Sequence, residues 1–299
     1  MKETSALQDI ERPEDGADSS PMRVALGFFI LPLLLVIGAV AVFMLFGLIA
    51  HEDKTVEQYL AEVTGGGINE PWQGAFGLAN KLQDESLRGD PEVARRIALT
   101  LEHPNAADPE VRKFLLLALG RVGHPSSVPV LASHLDDPDA EVRVNALFSL
   151  ANIGAPAAGD ATGDVVDRLG DEDTGVRSLA AYVLGTLDND AAIVPLQVAL
   201  NDTTSQVRWN AAVALARLGD DAGLGELKQM LDRGYLEAHG ELDAQQVQDA
   251  MIAAIQALGM LGARNAEPEL TGIRDDDPDG RVREAARAAL ISISRLSHP

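Results

Sequence analysis

Three groups of residues have the types and spacing to do chemistry. The first is Asp275-Asp276-Asp277-Pro278-Asp279-Gly280, which matches the opening of a calcium loop, D-x-D-x-D-G. A calcium loop of that kind closes its ligand set with a carboxylate at the twelfth position. Here that position is Ala286, so the run reads as an acidic turn and no metal is assigned to it. The second group is the six histidines, His51, His103, His124, His134, His239 and His298. None has a spacing that would bring two imidazoles to one metal. The third group is a set of acid–base pairs four residues apart: Asp108–Arg112, Asp139–Arg143, Asp173–Arg177 and Asp279–Arg283. Residues so spaced are neighbours on a helix. Each arginine lies inside the arc of apolar positions, where a charge must be paired. Where the aspartate becomes Ala244 the arginine becomes Gln248, and Arg208, which follows Thr204, needs another acceptor. The pairs read as a structural ladder rather than an anion site. The chain has no cysteine, which excludes disulfides, thiolate catalysis and cysteine zinc sites. No Gly-rich phosphate loop or nucleophile elbow is present. The residues therefore predict no catalytic site and no cofactor, and the chain is expected not to be an enzyme.

The elements that carry these residues recur. Val-Arg pairs stand at Val111-Arg112, Val142-Arg143, Val176-Arg177, Val207-Arg208 and Val282-Arg283, with a degenerate copy at Val247-Gln248. The intervals are 31, 34, 31, 40 and 35 residues, the mark of a stacked repeat. Apolar residues follow each valine at four, eight and eleven places, as in Ala146, Leu150 and Ile153. That spacing makes one helical face. Gly123, Gly154, Gly219 and Gly259 are expected to end these helices, and Asp108, Asp139, Asp173 and Asp279 to cap their starts. Shorter apolar segments between them, such as Val128-Pro129-Val130-Leu131, supply a first helix for each pair.

The stretch from Asp137 to Leu147, Asp-Pro-Asp-Ala-Glu-Val-Arg-Val-Asn-Ala-Leu, resembles HEAT repeats of the type called PBS-lyase HEAT-like repeats, and so does Val207 to Gly219. The resemblance implies an all-α solenoid of helical hairpins whose second helices line the concave, partner-binding surface. Some HEAT-like hydroxylases bind iron through His-Glu pairs, but this chain has one such pair, His51-Glu52. The namesake lyases attach bilins to antenna proteins, and no residue run here marks a bilin pocket.

Net charge is −22, a balance that repels phosphate backbones and argues against nucleic acid as a partner. Residues 1–23 are polar and acidic and read as a disordered tail. Residues 24–50 carry no charge, long enough for a membrane-spanning helix. Arg12 and Arg23 before the span, against Lys54 after it, favour an inner-membrane single-pass anchor with periplasmic repeats. Residues 51–90 read as juxtamembrane helices and a worn first repeat, in which the run from Trp72 echoes that from Trp209. Residues 91–299 read as the solenoid. The 40-residue interval marks an insertion near 232–243, with Tyr235, Leu236 and His239.

Core positions of the second helices occupy an arc from about 0° to 140°, counting from the first valine. Six residues on, at about 240°, stand Leu117, Phe148, Tyr182 and Val213, with Trp209 beside them. A helix buried on one side should be polar there, so these five residues are the candidate partner-binding row. The function expected is a membrane-anchored scaffold, assembly factor or regulatory subunit that binds another protein, membrane-embedded or in a membrane complex. The alternatives are a bilin-lyase-like enzyme or accessory, and a purely structural subunit of a larger membrane complex.

Overall fold

The computed structural model describes residues 33, 34, 36–40, 42, 54–65, 70–239 and 242–296. The chain divides between Lys54 and Thr55, and each part is described by itself. In the first part, Leu33, Leu34, Val36, Ile37, Gly38, Ala39, Val40 and Val42 are helical and exposed. The acidic tail and the rest of the 24–50 span lie outside the described residues. Among the described residues no helix is long and apolar enough to cross a membrane. The expected inner-membrane, single-pass placement with periplasmic repeats is corrected on that finding.

From Thr55 the described chain is all helical, in hairpins of a first and a second helix. Helices α1 (Val56–Gly65) and α2 (Pro71–Lys81) form the first hairpin, and α3 (Pro91–Thr100) and α4 (Pro109–Val122) the next. Then come α5 (Val128–Ser133) with α6 (Ala140–Ile153), α7 (Thr162–Asp167) with α8 (Thr174–Leu184), and α9 (Ile193–Ala199) with α10 (Ser205–Arg217). Helix α11 (Leu224–Gln229) is followed by an added helix, α12 (Arg233–His239), before α13 (Ala244–Met260). Helices α14 (Glu267–Asp276) and α15 (Gly280–Leu296) close the described series. Of the inserted residues, Arg233–His239 thus form a helix.

The local signals act as the sequence predicts at most ends. Asp108, Asp139 and Asp173 accept hydrogen bonds from backbone N–H groups in the first turns of α4, α6 and α8, the usual way to satisfy orphan donors. Gly123 closes α4 at φ 67°, a left-handed conformation costly for other residues. Gly259 is a correction. It lies inside α13, and Gly262, at φ 63°, makes the turn instead. A Cβ on Gly259 would stand 3.0 Å from Ala289 on α15, so its smallness serves close packing. Gly120 meets Ser149 and Gly185 meets Ala214 in the same manner, with a Cβ at 2.5 and 2.7 Å. Ser149 secures the first of these contacts by donating to the Leu116 carbonyl at 2.9 Å.

The Asp–Arg ladder exists, but not with the expected partners. The aspartate four residues before each arginine is a helix cap. The guanidinium reaches instead into the next repeat. Arg112 pairs with Asp137 at 2.8 Å, Arg143 with Asp171 at 2.7 Å and Arg177 with Asp202 at 2.9 Å. Each arginine also donates through Nη1 to carbonyls of its own turn, as Arg143 does to Asp137 O at 2.9 Å. The receiving carboxylates are held from behind by backbone N–H groups, Asp173 N to Asp171 and Thr204 N to Asp202. One guanidinium therefore ties two successive turns together. The calcium-like run is one such turn: Asp277 receives Arg233 of α12 at 3.2 Å, Asp279 caps α15 and Asp275 pairs with Arg274. No group of metal-ligating side chains occurs among the described residues.

Candidate functional site

The added helix gives the chain its candidate site. The 40-residue interval holds α12, which lies beside the start of α10. Tyr235 of α12 meets Trp209 edge-on at 6.1 Å and stacks on His239 at 4.5 Å. Its hydroxyl donates to Glu226 Oε1 at 2.9 Å. Glu226 also stands 3.4 Å from Arg208, the acceptor that this arginine needed.

Between α10 and α13 a cavity of about 340 Å³ opens. Tyr182, Trp209, Val213 and Met230 supply its apolar walls together with Ala250 and Ala253, and Arg217, Gln246 and Asp249 its polar groups. The polar groups are held in place. Asn210, also at the wall, donates to the carbonyl and hydroxyl of Ser178, each at 2.9 Å. Gln246 is locked by a reciprocal capping box with Asp243. Asp249 accepts from Gln245 at 3.0 and 3.1 Å and from Arg281 at 2.8 Å. These hydrogen bonds hold its carboxyl below the usual carboxylate range, so it is a fixed anion at neutral pH.

Two groups at this site lack partners. The guanidinium of Arg217 lies 5.3 Å over the Tyr182 ring, a cation–π arrangement, yet forms no ion pair among the described residues although the chain has 46 acidic residues. The indole Nε1 of Trp209 is buried with no acceptor, which costs on the order of 1–3 kcal/mol.

The structure brings together Tyr182, Trp209 and Val213 of the expected row and leaves Leu117 and Phe148 outside the cavity. Phe148 is 46% and Tyr182 40% exposed, whereas Trp209 and Val213 are buried at 4% and 9%. Leu117 is half-buried against the core. Sequence reasoning missed Arg217, Asp249 and Gln246. The insertion was the one available signal, since it marks the interval between α10 and α13 as irregular.

Comparison with known proteins agrees with the repeat reading. Residues 97–161 and 164–237 match the HEAT repeats family. The phycocyanobilin lyase subunit alpha of Picosynechococcus sp. (strain PCC 7002) is 33% identical over 135 residues, 45% of this chain and 50% of that protein. The chain thus spans about half the length of this curated relative. Among solved structures, the complex of CpcE and CpcF of phycocyanin lyase from Nostoc sp. PCC7120 is 20% identical, with a TM-score of 0.52 over 81% of this chain and 95% of that one. An engineered protein is 23% identical, with a TM-score of 0.50 over 80% of this chain and 68% of that one. Both likenesses concern the fold. The chain is an all-α helical-repeat protein, similar to HEAT repeats over residues 97–161 and 164–237 and, over part of its length, to a lyase subunit. The expectation of a non-enzyme is corrected by the likeness to a lyase subunit.

Proposed function

We propose that the chain is a HEAT-repeat subunit of a lyase-type assembly, in which the α10–α13 cavity holds a linear tetrapyrrole and the neighbouring row engages a protein. The observation that carries this reading is Arg217, an unpaired cation over Tyr182 at the edge of an apolar cavity in a strongly acidic chain. A linear tetrapyrrole offers flat conjugated rings, carboxylate side chains and pyrrole N–H donors. Tyr182 and Trp209 match the rings by apolar and edge contacts. Arg217 matches a carboxylate, which it can grip with two parallel hydrogen bonds. Asp249, ionised and held at the rim, matches the pyrrole donors. The cavity lies within the range of small-molecule sites, roughly 300–1,000 Å³. Having no cysteine, the chain cannot hold the group through a thioether, so these side chains hold it non-covalently. The relative's name supports the choice of a bilin over other flat anions.

The protein surface belongs to the same proposal. Leu117, Phe148 and Tyr182, with Trp209 and Val213 behind them, form the row on which a partner protein docks. Phe148 is its most exposed aromatic.

The test is titration of the purified chain with phycocyanobilin, read by induced circular dichroism in the visible and by quenching of tryptophan fluorescence. A charge-assisted hydrogen bond contributes about 1.5–3 kcal/mol, so Arg217→Gln should weaken binding about tenfold or more. Arg217 is exposed, and the variant's melting temperature should match that of the wild type. No induced signal in the wild-type chain, or equal binding by the variant, overturns the reading.

A further inference from the structure

We propose that the joint between α10 and α13 is a hinge, and that filling the cavity closes it. This names the regulation of the site above and rests on that cavity being a binding site. Four features meet at this joint. The first is the core. Val207, Ala211, Ala214 and Leu215 of α10 belong to the core that begins at Val56, whereas Trp209, Ala212, Val213 and Ala216 belong to the core that ends at Ile293, with Leu200 packed against both. The hydrophobic core changes hands within one helix.

The second is the ladder. Elsewhere a guanidinium ties successive turns at 2.7–2.9 Å. Here Arg208 is diverted to Glu226 at 3.4 Å, Gln248 replaces the next arginine, and Arg233 of the added helix takes over its aspartate at 3.2 Å. The third is steric. Glycine contacts press α4 on α6, α8 on α10 and α13 on α15. Between α6 and α8, as between α10 and α13, no glycine among the described residues makes such a contact, and at the second of these a cavity opens. The fourth is Trp209, whose buried N–H has no acceptor in the observed arrangement. A joint with a divided core, a diverted staple, an open gap and an orphaned donor is the one most easily bent. Space left at an interface also forfeits the contacts that would hold it. An occupant touching Trp209 and Val213 on one side and Ala250 and Ala253 on the other replaces those contacts and favours the closed arrangement. A ligand shifts such an equilibrium only by its differential affinity for the two states, and contact with both walls supplies it.

Since the chain has no cysteine, engineered pairs can carry spin labels without background. Thr203→Cys with Pro278→Cys places labels in the turns before α10 and α15, across the joint. Ala107→Cys with Glu172→Cys places them at the equivalent points before α4 and α8. All four positions are exposed. Pulsed electron–electron distance measurement on the full chain should give a distribution at least twice as wide across the joint as in the control. Ala253→Trp, or Ala250→Phe should the first lose helical content, fills the cavity from α13. Either should narrow the distribution to the control width without any ligand, and phycocyanobilin should do the same in the unfilled protein. Equal widths in the ligand-free chain, or no narrowing on filling, overturns the hinge. A bilin that binds by induced dichroism without narrowing overturns ligand closure. Narrowing by the filled variant with no bilin binding upholds the hinge and refutes the tetrapyrrole reading alone.

Discussion

Removing the carboxylate of Asp171 tests the ladder at its most buried rung. The side chains of Arg143 and Asp171 are 6% and 4% exposed and 2.7 Å apart. In Asp171→Ala, Arg143 keeps its bond to the Asp137 carbonyl but is left with a buried charge facing no anion. Breaking a buried pair from one side costs about 3–5 kcal/mol. The lower figure applies because Arg143 retains the carbonyls of its own turn. About 3 kcal/mol at about 2–4 °C per kcal/mol for a unit of this size lowers the melting temperature by about 6–12 °C. Arg143→Met should cost less, because Asp171 keeps the Asp173 N–H and has Arg168 within 3.9 Å. The double variant should recover much of the loss, with a coupling of about 1–3 kcal/mol in a thermodynamic cycle. The cycle of Arg143 with Asp139 should be additive within about 0.5 kcal/mol. Thermal and urea melts followed by circular dichroism measure both cycles. Repeats couple mainly to their neighbours, so faster amide exchange should be confined to the turns before α6 and α8 and the helices beside them. Coupling to Asp139 in place of Asp171 would refute the assignment.

Acid should weaken the same rungs. Burial raises the carboxyls of Asp171 and Asp202, but hydrogen bonds from Arg143 and Arg177 and from backbone N–H groups outweigh it and leave both below the usual value. A depressed folded-state value means that the stabilisation is complete above the unfolded value, about pH 4, and is lost as pH falls through the folded one. A pH series of urea melts should show Asp171→Ala losing its deficit relative to wild type only below about pH 4. Gly185→Ala should cost about 1–3 kcal/mol from overpacking against Ala214, whereas Gly225→Ala on α11, with nothing within 4 Å, should be neutral or stabilise by about 0.4–1 kcal/mol; melts of the two compare them. Arg233→Ala should destabilise by about 1–3 kcal/mol by stranding Asp277, and adding Gln248→Arg should restore part of that by returning the ladder donor to its regular place. Phe148→Ser should leave the melt unchanged and abolish binding of whichever protein docks on the row, measured by co-elution with it.

What the sequence disclosed follows from where the physics is local. Helix period, aspartate caps and most glycine ends depend on residues within one turn of each other, and they read correctly from the Val-Arg register. The ladder was misassigned because spacing within one repeat sees only the aspartate four places before each arginine, whereas the carboxylate that Arg143 meets, Asp171, lies 28 residues on in the next turn. The nearer one is already committed: its oxygen faces the N–H groups of the first turn and cannot also face the guanidinium. The sequence does hold the deciding variation. Before α10 the cap has become Thr204 while Asp202 remains, and Arg177 still finds its carboxylate. Trp209 was placed beside an open row because helical angles count only a helix and its core. They do not know of α12, whose Tyr235 covers that indole. The cavity was illegible for a related reason. Arg217 and Asp249 share it although they lie 32 residues apart, on helices that the insertion separates in sequence. The insertion is therefore the element on which the site, the broken ladder and the divided core all depend. Deleting α12 should consequently do more than lose a helix. Combined with Gln248→Arg, the deletion exchanges Arg233 for a guanidinium at the regular ladder position facing Asp277. The cavity should then close, and the induced dichroism of added phycocyanobilin should disappear in a variant that still unfolds cooperatively in urea. A deletion variant that folds and still binds the pigment would show that the offset of α13 does not depend on the insertion.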